Sequence, residues 1–229
     1  RFGSSAHHQL RGDLGLLRIK ALQIINFRNI KKMYYEPEER LNIFLGENGQ
    51  GKTNIIEAIF VLAQGNSFRP VNDLGMVNYE ASAYHVKATY QLDNRLREAS
   101  IYYSEGNKFI KINGKKTRQN NPERMRVIIF TPDDLFLVKG SPALRRHFLD
   151  FSLSQLSKEY AHCFGDFTKL LKKRNNIIRA KKDPERSLDV IDDLFCDRSA
   201  RIVMARLNYV NVLNEKISEI YKSVNRKSG

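Results

Sequence analysis

The run Gly46-Glu47-Asn48-Gly49-Gln50-Gly51-Lys52-Thr53 fits G-x-x-x-x-G-K-[ST], a spacing whose chemistry is the cradling of phosphate. Glycines at 46, 49 and 51 can take positive φ and bring the backbone close to phosphate oxygens. A helix opening at Lys52 aims its first free N–H groups at an anion. In that arrangement Lys52 reaches the β- and γ-phosphates of a nucleotide, and the Thr53 hydroxyl ligates Mg²⁺. All eight residues are therefore assigned to nucleotide binding, with ATP and Mg²⁺ as the expected ligands. Hydrolysis would also need an apolar strand ending in acids that hold the metal through water. Two stretches come near. Val127–Phe130 is separated from Asp133-Asp134 by Thr131-Pro132, and Leu188–Asp193 is interrupted by Asp189 and continues as a helix. Neither satisfies the pattern. His85, His147 and His162 lack paired ligand spacing, which leaves packing or surface roles. No Ser-His-Asp or Cys-His grouping can be assembled.

The elements that must position this loop can be read from periodicity. Leu41–Leu45 reads as a buried strand entering the loop, and Ile55, Ile56, Ala58, Ile59 and Leu62 as the apolar stripe of the helix leaving it. Before it, Arg18–Ile25 reads as a strand, and Tyr34-Tyr35 as the start of another. After it, Gln64–Pro70 is a loop by its Gly, Asn and Pro content. Tyr84–Leu92, Ala99–Tyr103 and Phe109–Ile112 then form an antiparallel meander. Val127–Phe130 reads as a buried central strand. From Ser141 the pattern turns helical: one helix from Pro142, a second over Lys158 to Ala180, and a third from Ser187 to Ser223. Leu207, Val210, Leu213, Ile217 and Ile220 recur at helical spacing as a seam, expected to pack antiparallel on the second helix. Residues 1–17, with Gly, Ser and paired His7-His8, read as a vector-derived tail.

Composition narrows the class. The chain has 229 residues, 41% of them hydrophobic, and a mean hydropathy of −0.48. No window approaches a membrane span and no signal-peptide core is present, so a cytoplasmic location is expected. Cys163 and Cys196 sit in helical runs without C-x-x-C spacing and read as buried reduced thiols. The balance of 39 Lys and Arg against 25 Asp and Glu gives a net charge of +14, which points to a polyanionic partner. The basic clusters are Lys108, Lys111, Lys115, Lys116 and Arg118 around the hairpin, and Lys169, Lys172, Lys173 and Arg174 on the second helix. Lys108, Lys111, Lys115, Lys116, Lys172 and Lys173 are the DNA-binding candidates.

Asn26-Phe27-Arg28-Asn29-Ile30, the P-loop GENGQGKT, GNSFR at 65–69, Ile112-Asn113-Gly114 and, above all, FTPDDLFLVKGSPALRRHFLD at 130–150 together resemble the RecF recombination-mediator family. These are SMC-like members of the ABC ATPase superfamily. The resemblance runs from residue 18 onward. It implies an α/β P-loop ABC-type ATPase domain, a mixed sheet with an antiparallel hairpin layer, and an inserted α-helical arm. Residues 18–140 would be the N-terminal part of the ATPase domain and 141–229 the helical subdomain. It also implies that Arg28 and Asn29 touch the nucleotide, and that Ser67, Phe68 and Arg69 lie where relatives contact adenine. Thr131–Asp134 stands at the place of the Q-loop, with Asp133 nearest to a metal-sensing residue. Nothing in residues 151–229 matches the S-x-G-Q signature or a Walker B strand. The chain is thus expected to be the N-terminal portion of a longer protein.

The whole protein would bind ATP, dimerise through it on duplex DNA near single-strand gaps, and work with a RecR-type partner in recombinase loading. That role belongs to gap repair, replication-fork maintenance and the SOS response. Slow ATPase activity is expected of the full-length dimer and none of this chain alone. The rivals from other classes are a P-loop phosphotransferase acting on a small molecule, and a transporter ATPase subunit. The first usually carries an Arg-rich lid and lacks the long arm and basic surplus; the second needs a coupling surface for a membrane partner.

Overall fold

The computed structural model describes residues 17–92, 94–117, 124–180 and 184–225. The tail assigned to residues 1–17 therefore lies outside it but for Leu17, as does Arg118. Two compact units divide in sequence between Phe130 and Thr131.

The first unit is built on a six-stranded sheet in the order β2-β1-β3-β4-β5-β6. The strands are β1 (Arg18–Phe27), β2 (Ile30–Tyr35), β3 (Ala83–Leu92), β4 (Arg95–Ser104), β5 (Asn107–Ile112) and β6 (Lys115–Thr117). Every pairing is antiparallel. Period-two alternation puts Leu22 and Ile24, then Tyr84, Val86, Ala88 and Tyr90, then Ala99, Ile101 and Tyr103, then Ile110 on one buried face. Two tight turns set the register: Glu105-Gly106 and Asn113-Gly114 both have positive φ at both positions, the backbone that matches strand twist in two-residue hairpins.

Helix α1 (Lys52–Gln64) packs its Ala58, Val61 and Leu62 into this core. It stops at Gly65, whose left-handed φ of 82° lets its N–H reach the Val61 carbonyl at 2.7 Å. The expected stripe is partly wrong. Ile56 faces solvent, whereas Phe60 and Ala63 are buried, and so is Glu57. The helix is covered on more sides than one apolar stripe provides.

Both stretches expected as buried central strands are corrected. Leu41–Leu45 and Val127–Phe130 carry no strand pairing among the described residues. Leu45 is 87% exposed and Ile128 is 95% exposed. An apolar run becomes a buried strand only when a neighbouring strand pairs with it, and neither run is hydrogen-bonded into the six-stranded sheet, although Phe44 meets the Tyr35 ring of β2 with centroids 5.4 Å apart.

The second unit is helical. A 3₁₀ turn (Pro132–Leu135) precedes α2 (Phe136–Lys139), α3 (Pro142–Leu156), α4 (Lys158–Ala180) and α5 (Pro184–Asn225). Asp150 of α3 is buried and accepts the Tyr160 hydroxyl at 2.5 Å and two Arg206 nitrogens at 2.8 Å. One carboxylate thus ties α3, α4 and α5 together. The Asp–Arg contact is bidentate, the stronger geometry for such pairs.

Helices α4 and α5 do pair, but the expected seam is misplaced. Leu207, Ile217 and Ile220 are exposed, and Val210 and Leu213 only half-buried. The positions that pack are upstream, Ile191 and Ile202. Length explains this. The 23 residues of α4 span about 35 Å and the 42 of α5 about 63 Å, so the last turns of α5 run past the end of α4. Cys196 is exposed, against expectation. Cys163 is half-buried, and burial raises its thiol pKa. Ile202→Ala should cost about 2–4 kcal/mol and Leu207→Ala under about 1, read by urea denaturation followed by helical circular dichroism. The reverse ranking would restore the seam.

Candidate phosphate-binding site

The loop takes its shape from its glycines: Gly46, Gly49 and Gly51 have φ of 146°, 84° and 96°. At Gly46 and Gly49 a Cβ would meet nothing within 4 Å, so the requirement there is conformational. At Gly51 it is also steric, because a Cβ would lie 2.7 Å from the Asn29 Oδ1. Gly51 caps α1, and its carbonyl accepts from the Asn54 and Ile55 N–H groups at 2.9 and 3.1 Å. Glu47, Asn48 and Gln50 are exposed in the same loop. The Lys52 ammonium folds back on the carbonyls of Gly46 and Glu47, at 2.7 and 2.5 Å. That holds it across the concave side of the loop. Thr53 stands exposed on the first turn of α1.

Behind the loop lies a connected polar frame. The Asn29 amide donates to the Gly49 carbonyl at 2.9 Å and accepts from the Asn54 amide at 2.8 Å. Asn54 accepts in turn from the Arg69 guanidinium at 3.1 Å. Arg69 also donates to Glu57 at 3.2 Å. Glu57 is wholly buried and bound bidentately by Arg28, at 3.1 and 2.6 Å, while the Ser67 hydroxyl donates to it at 2.5 Å. Arg28 has a positive φ of 53°, and the turn is fixed by its N–H on the Met76 carbonyl, its own carbonyl on Asn78, and its guanidinium on the Gly75 carbonyl. Strained backbone of this kind persists where several contacts over-determine it.

These positions redistribute the expected roles. Asn29 touches the phosphate loop itself. Arg28, expected at the nucleotide, spends its guanidinium on Glu57 and Gly75. Arg69 is half-buried on the same carboxylate, and Ser67 and Phe68 turn inward, Phe68 edge-on to Phe60 with centroids 5.4 Å apart. Asp133 is exposed and belongs to the other unit. Asp134 caps its own turn by accepting from the Thr131 N–H and hydroxyl. Asp192 pairs with Arg174 at 3.1 Å. Among the described residues no group of three or more His, Cys, Asp or Glu could hold a metal ion. Periodicity does not single out Glu57; its one signal in the sequence is a lone carboxylate within the run Ile55–Ala63.

The basic candidates also separate. Lys108 lies on the core face of β5 and is held by the Asp73 carboxylate at 2.7 Å and the Gly65 carbonyl at 2.8 Å. Lys111 and Lys116 pair across the strands on the opposite face, and Lys115, opposite Ile112, has the other parity. The four hairpin lysines therefore do not share one face of the sheet: Lys111 and Lys116 lie together and Lys108 and Lys115 lie opposite them. On α4, Lys169, Lys172 and Lys173 line a shallow hollow with Asn176, while Arg174 faces Asp192 and the Phe195 ring.

Comparison with known proteins bears on this frame. The family described as RecF/RecN/SMC N terminal domain matches residues 18–128. The protein "DNA replication and repair protein RecF" of Desulforamulus reducens is 34% identical over 200 residues, covering 86% of this chain and 54% of that protein. The one so described in Halalkalibacterium halodurans is 32% identical, covering 92% and 58%. A solved structure of the recombination mediator protein RecF with ATP has a TM-score of 0.83 at 29% identity, covering 91% of this chain and 58% of that one. A second, described as RecF-ATPrS in the RecFOR pathway, has a TM-score of 0.84 at 30% identity, covering 90% and 57%. The fold is that of an ABC-type P-loop ATPase domain with a helical arm. The chain is similar to RecF proteins over most of its own length, and it spans a little over half the length of the relatives it matches.

Removing Glu57 should expose how much rests on it. Glu57→Leu should destabilise by about 3 kcal/mol or more, because two arginines lose their buried partner. Urea denaturation that gives a loss under about 1 kcal/mol would mean that both arginines find other partners.

Proposed function

We propose that this chain is the nucleotide-cradling part of an ATP-gated DNA-binding recombination mediator. The loop at 46–53, shaped by three left-handed glycines and backed by Asn29, carries the reading. Its concave side presents the N-terminus of α1 and the Lys52 ammonium, the two features that hold a polyphosphate. Mg²⁺ would sit at the Thr53 hydroxyl. ATP binding is supported by the relative solved with ATP. A role in DNA replication, repair and recombination is supported by the relatives' descriptions. With them come the expectations for the whole protein: dimerisation through ATP on duplex DNA near gaps, slow hydrolysis, and a RecR-type partner. A net charge of +14 suits a polyanion.

Lys52→Ala should weaken ATP binding at least about tenfold, roughly 1.4 kcal/mol, in calorimetric titration with Mg²⁺ present. Unchanged affinity would remove the phosphate role of the loop.

A further inference from the structure

The solvent side of the sheet carries an arrangement that the phosphate site does not use. Side chains directly opposite one another across an antiparallel sheet form rows. One row on this face runs Ile25, His85, Tyr102, Phe109 from β1 to β5. The next runs Gln23, Lys87, Ser100, Lys111, Lys116 from β1 to β6. Rows on one face are two residues apart, about 7 Å. An aromatic row thus lies beside a cationic one.

The aromatic row is open to water. Tyr102 is 41% exposed and Phe109 37%, on a face where alternation would ordinarily place polar residues. Their rings lie 29° from parallel with centroids 6.3 Å apart. His85 meets Tyr102 edge-on at 6.2 Å, and the Lys116 ammonium sits 5.1 Å above the Phe109 ring. In the cationic row Lys87 is paired with Glu98 at 2.7 Å. Lys111 and Lys116 form no ion pair among the described residues. Burial, with Lys87 and Lys111 adding, lowers the His85 pKa and favours the neutral ring.

We propose that this face is a stacking platform for single-stranded nucleic acid, with Tyr102 and Phe109 receiving bases and Lys111 and Lys116 holding phosphates. It deepens the nucleic-acid reading given above and rests on it. Stacking on side-chain rings requires a base whose π-face is free, and every unpaired base offers one. In a duplex the base faces are stacked on each other and only edges and phosphates are reachable. An acidic peptide would engage the lysines and leave the rings unused. The pairing of exposed rings with adjacent unpaired cations therefore fits a single strand better than either.

The test is fluorescence anisotropy with labelled oligothymidylate, a duplex of equal length and polyglutamate, using this chain without nucleotide across a salt series. Tyr102→Ala with Phe109→Ala should weaken oligothymidylate binding at least about tenfold and leave its salt slope and duplex binding unchanged. Tyr102→Phe with Phe109→Tyr should restore it, and thermal melting should show that both variants fold. Lys111→Ala with Lys116→Ala should make the log–log slope shallower by about 1.4. The platform is overturned if the alanine pair leaves single-strand binding within twofold, if duplex binding falls by the same factor, or if polyglutamate competes equally. Duplex binding that survives while the rings prove irrelevant removes only the platform. Absence of binding to both nucleic acids removes the platform, while the ATP-gated duplex reading is removed separately if the full-length protein with Mg-ATP also fails to bind duplex.

Discussion

A carboxylate with no access to water must be paired, and the site depends on how Glu57 is paired. It sits one turn into α1, beyond reach of solvent, and takes donors from Arg28, Ser67 and Arg69. Those donors come from the β1–β2 turn and from the loop after α1. Two segments, one on either side of the helix in sequence, are thereby fixed against the helix that opens the phosphate loop. Burying a charge is costly unless geometry and hydrogen bonds offset the loss of hydration. Here every donor is placed by backbone that has its own constraints: the left-handed Arg28, the Met76 and Asn78 contacts, and the short Ser67–Arg69 turn.

The frame continues to the loop through amides. Arg69 donates to Asn54, Asn54 to Asn29, and Asn29 to the Gly49 carbonyl. An interaction at Gly49 can therefore be felt at Arg69 without passing through solvent. Only Gly permits this approach at position 51, where Asn29 occupies the space a Cβ would need. The same sheet that supplies Asn29 from its β1–β2 end turns its other face outward, with Tyr102 and Phe109 upon it.

Much of this was legible in the sequence, for physical reasons that differ by element. The loop was readable because its glycines and Lys52 answer to purely local geometry. The meander was readable because β3, β4 and β5 alternate cleanly and Asn113-Gly114 demands a tight turn. The same alternation already separates Lys108 from Lys111, three residues apart, yet grouping lysines by proximity hid it. Glu57 was hard to read because its partners lie 29, 10 and 12 residues away. Leu41–Leu45 and Val127–Phe130 read as buried strands because hydrophobicity records what a segment prefers and not whether a neighbour is there to pair with it. The run from Leu207 to Ile220 misled in the same way, since periodicity marks an apolar face but does not place its partner.

The most direct measurement is hydrogen exchange of this chain with and without Mg-ATP. A phosphate loop framed by Glu57 should show added protection at the amides of 49–53 and, together with it, at 67–69 and 28–29. In the Glu57→Gln variant the protection at 67–69 should be lost before that at 49–53. Protection confined to 49–53 would contradict the frame, and protection absent from 49–53 would contradict the site itself.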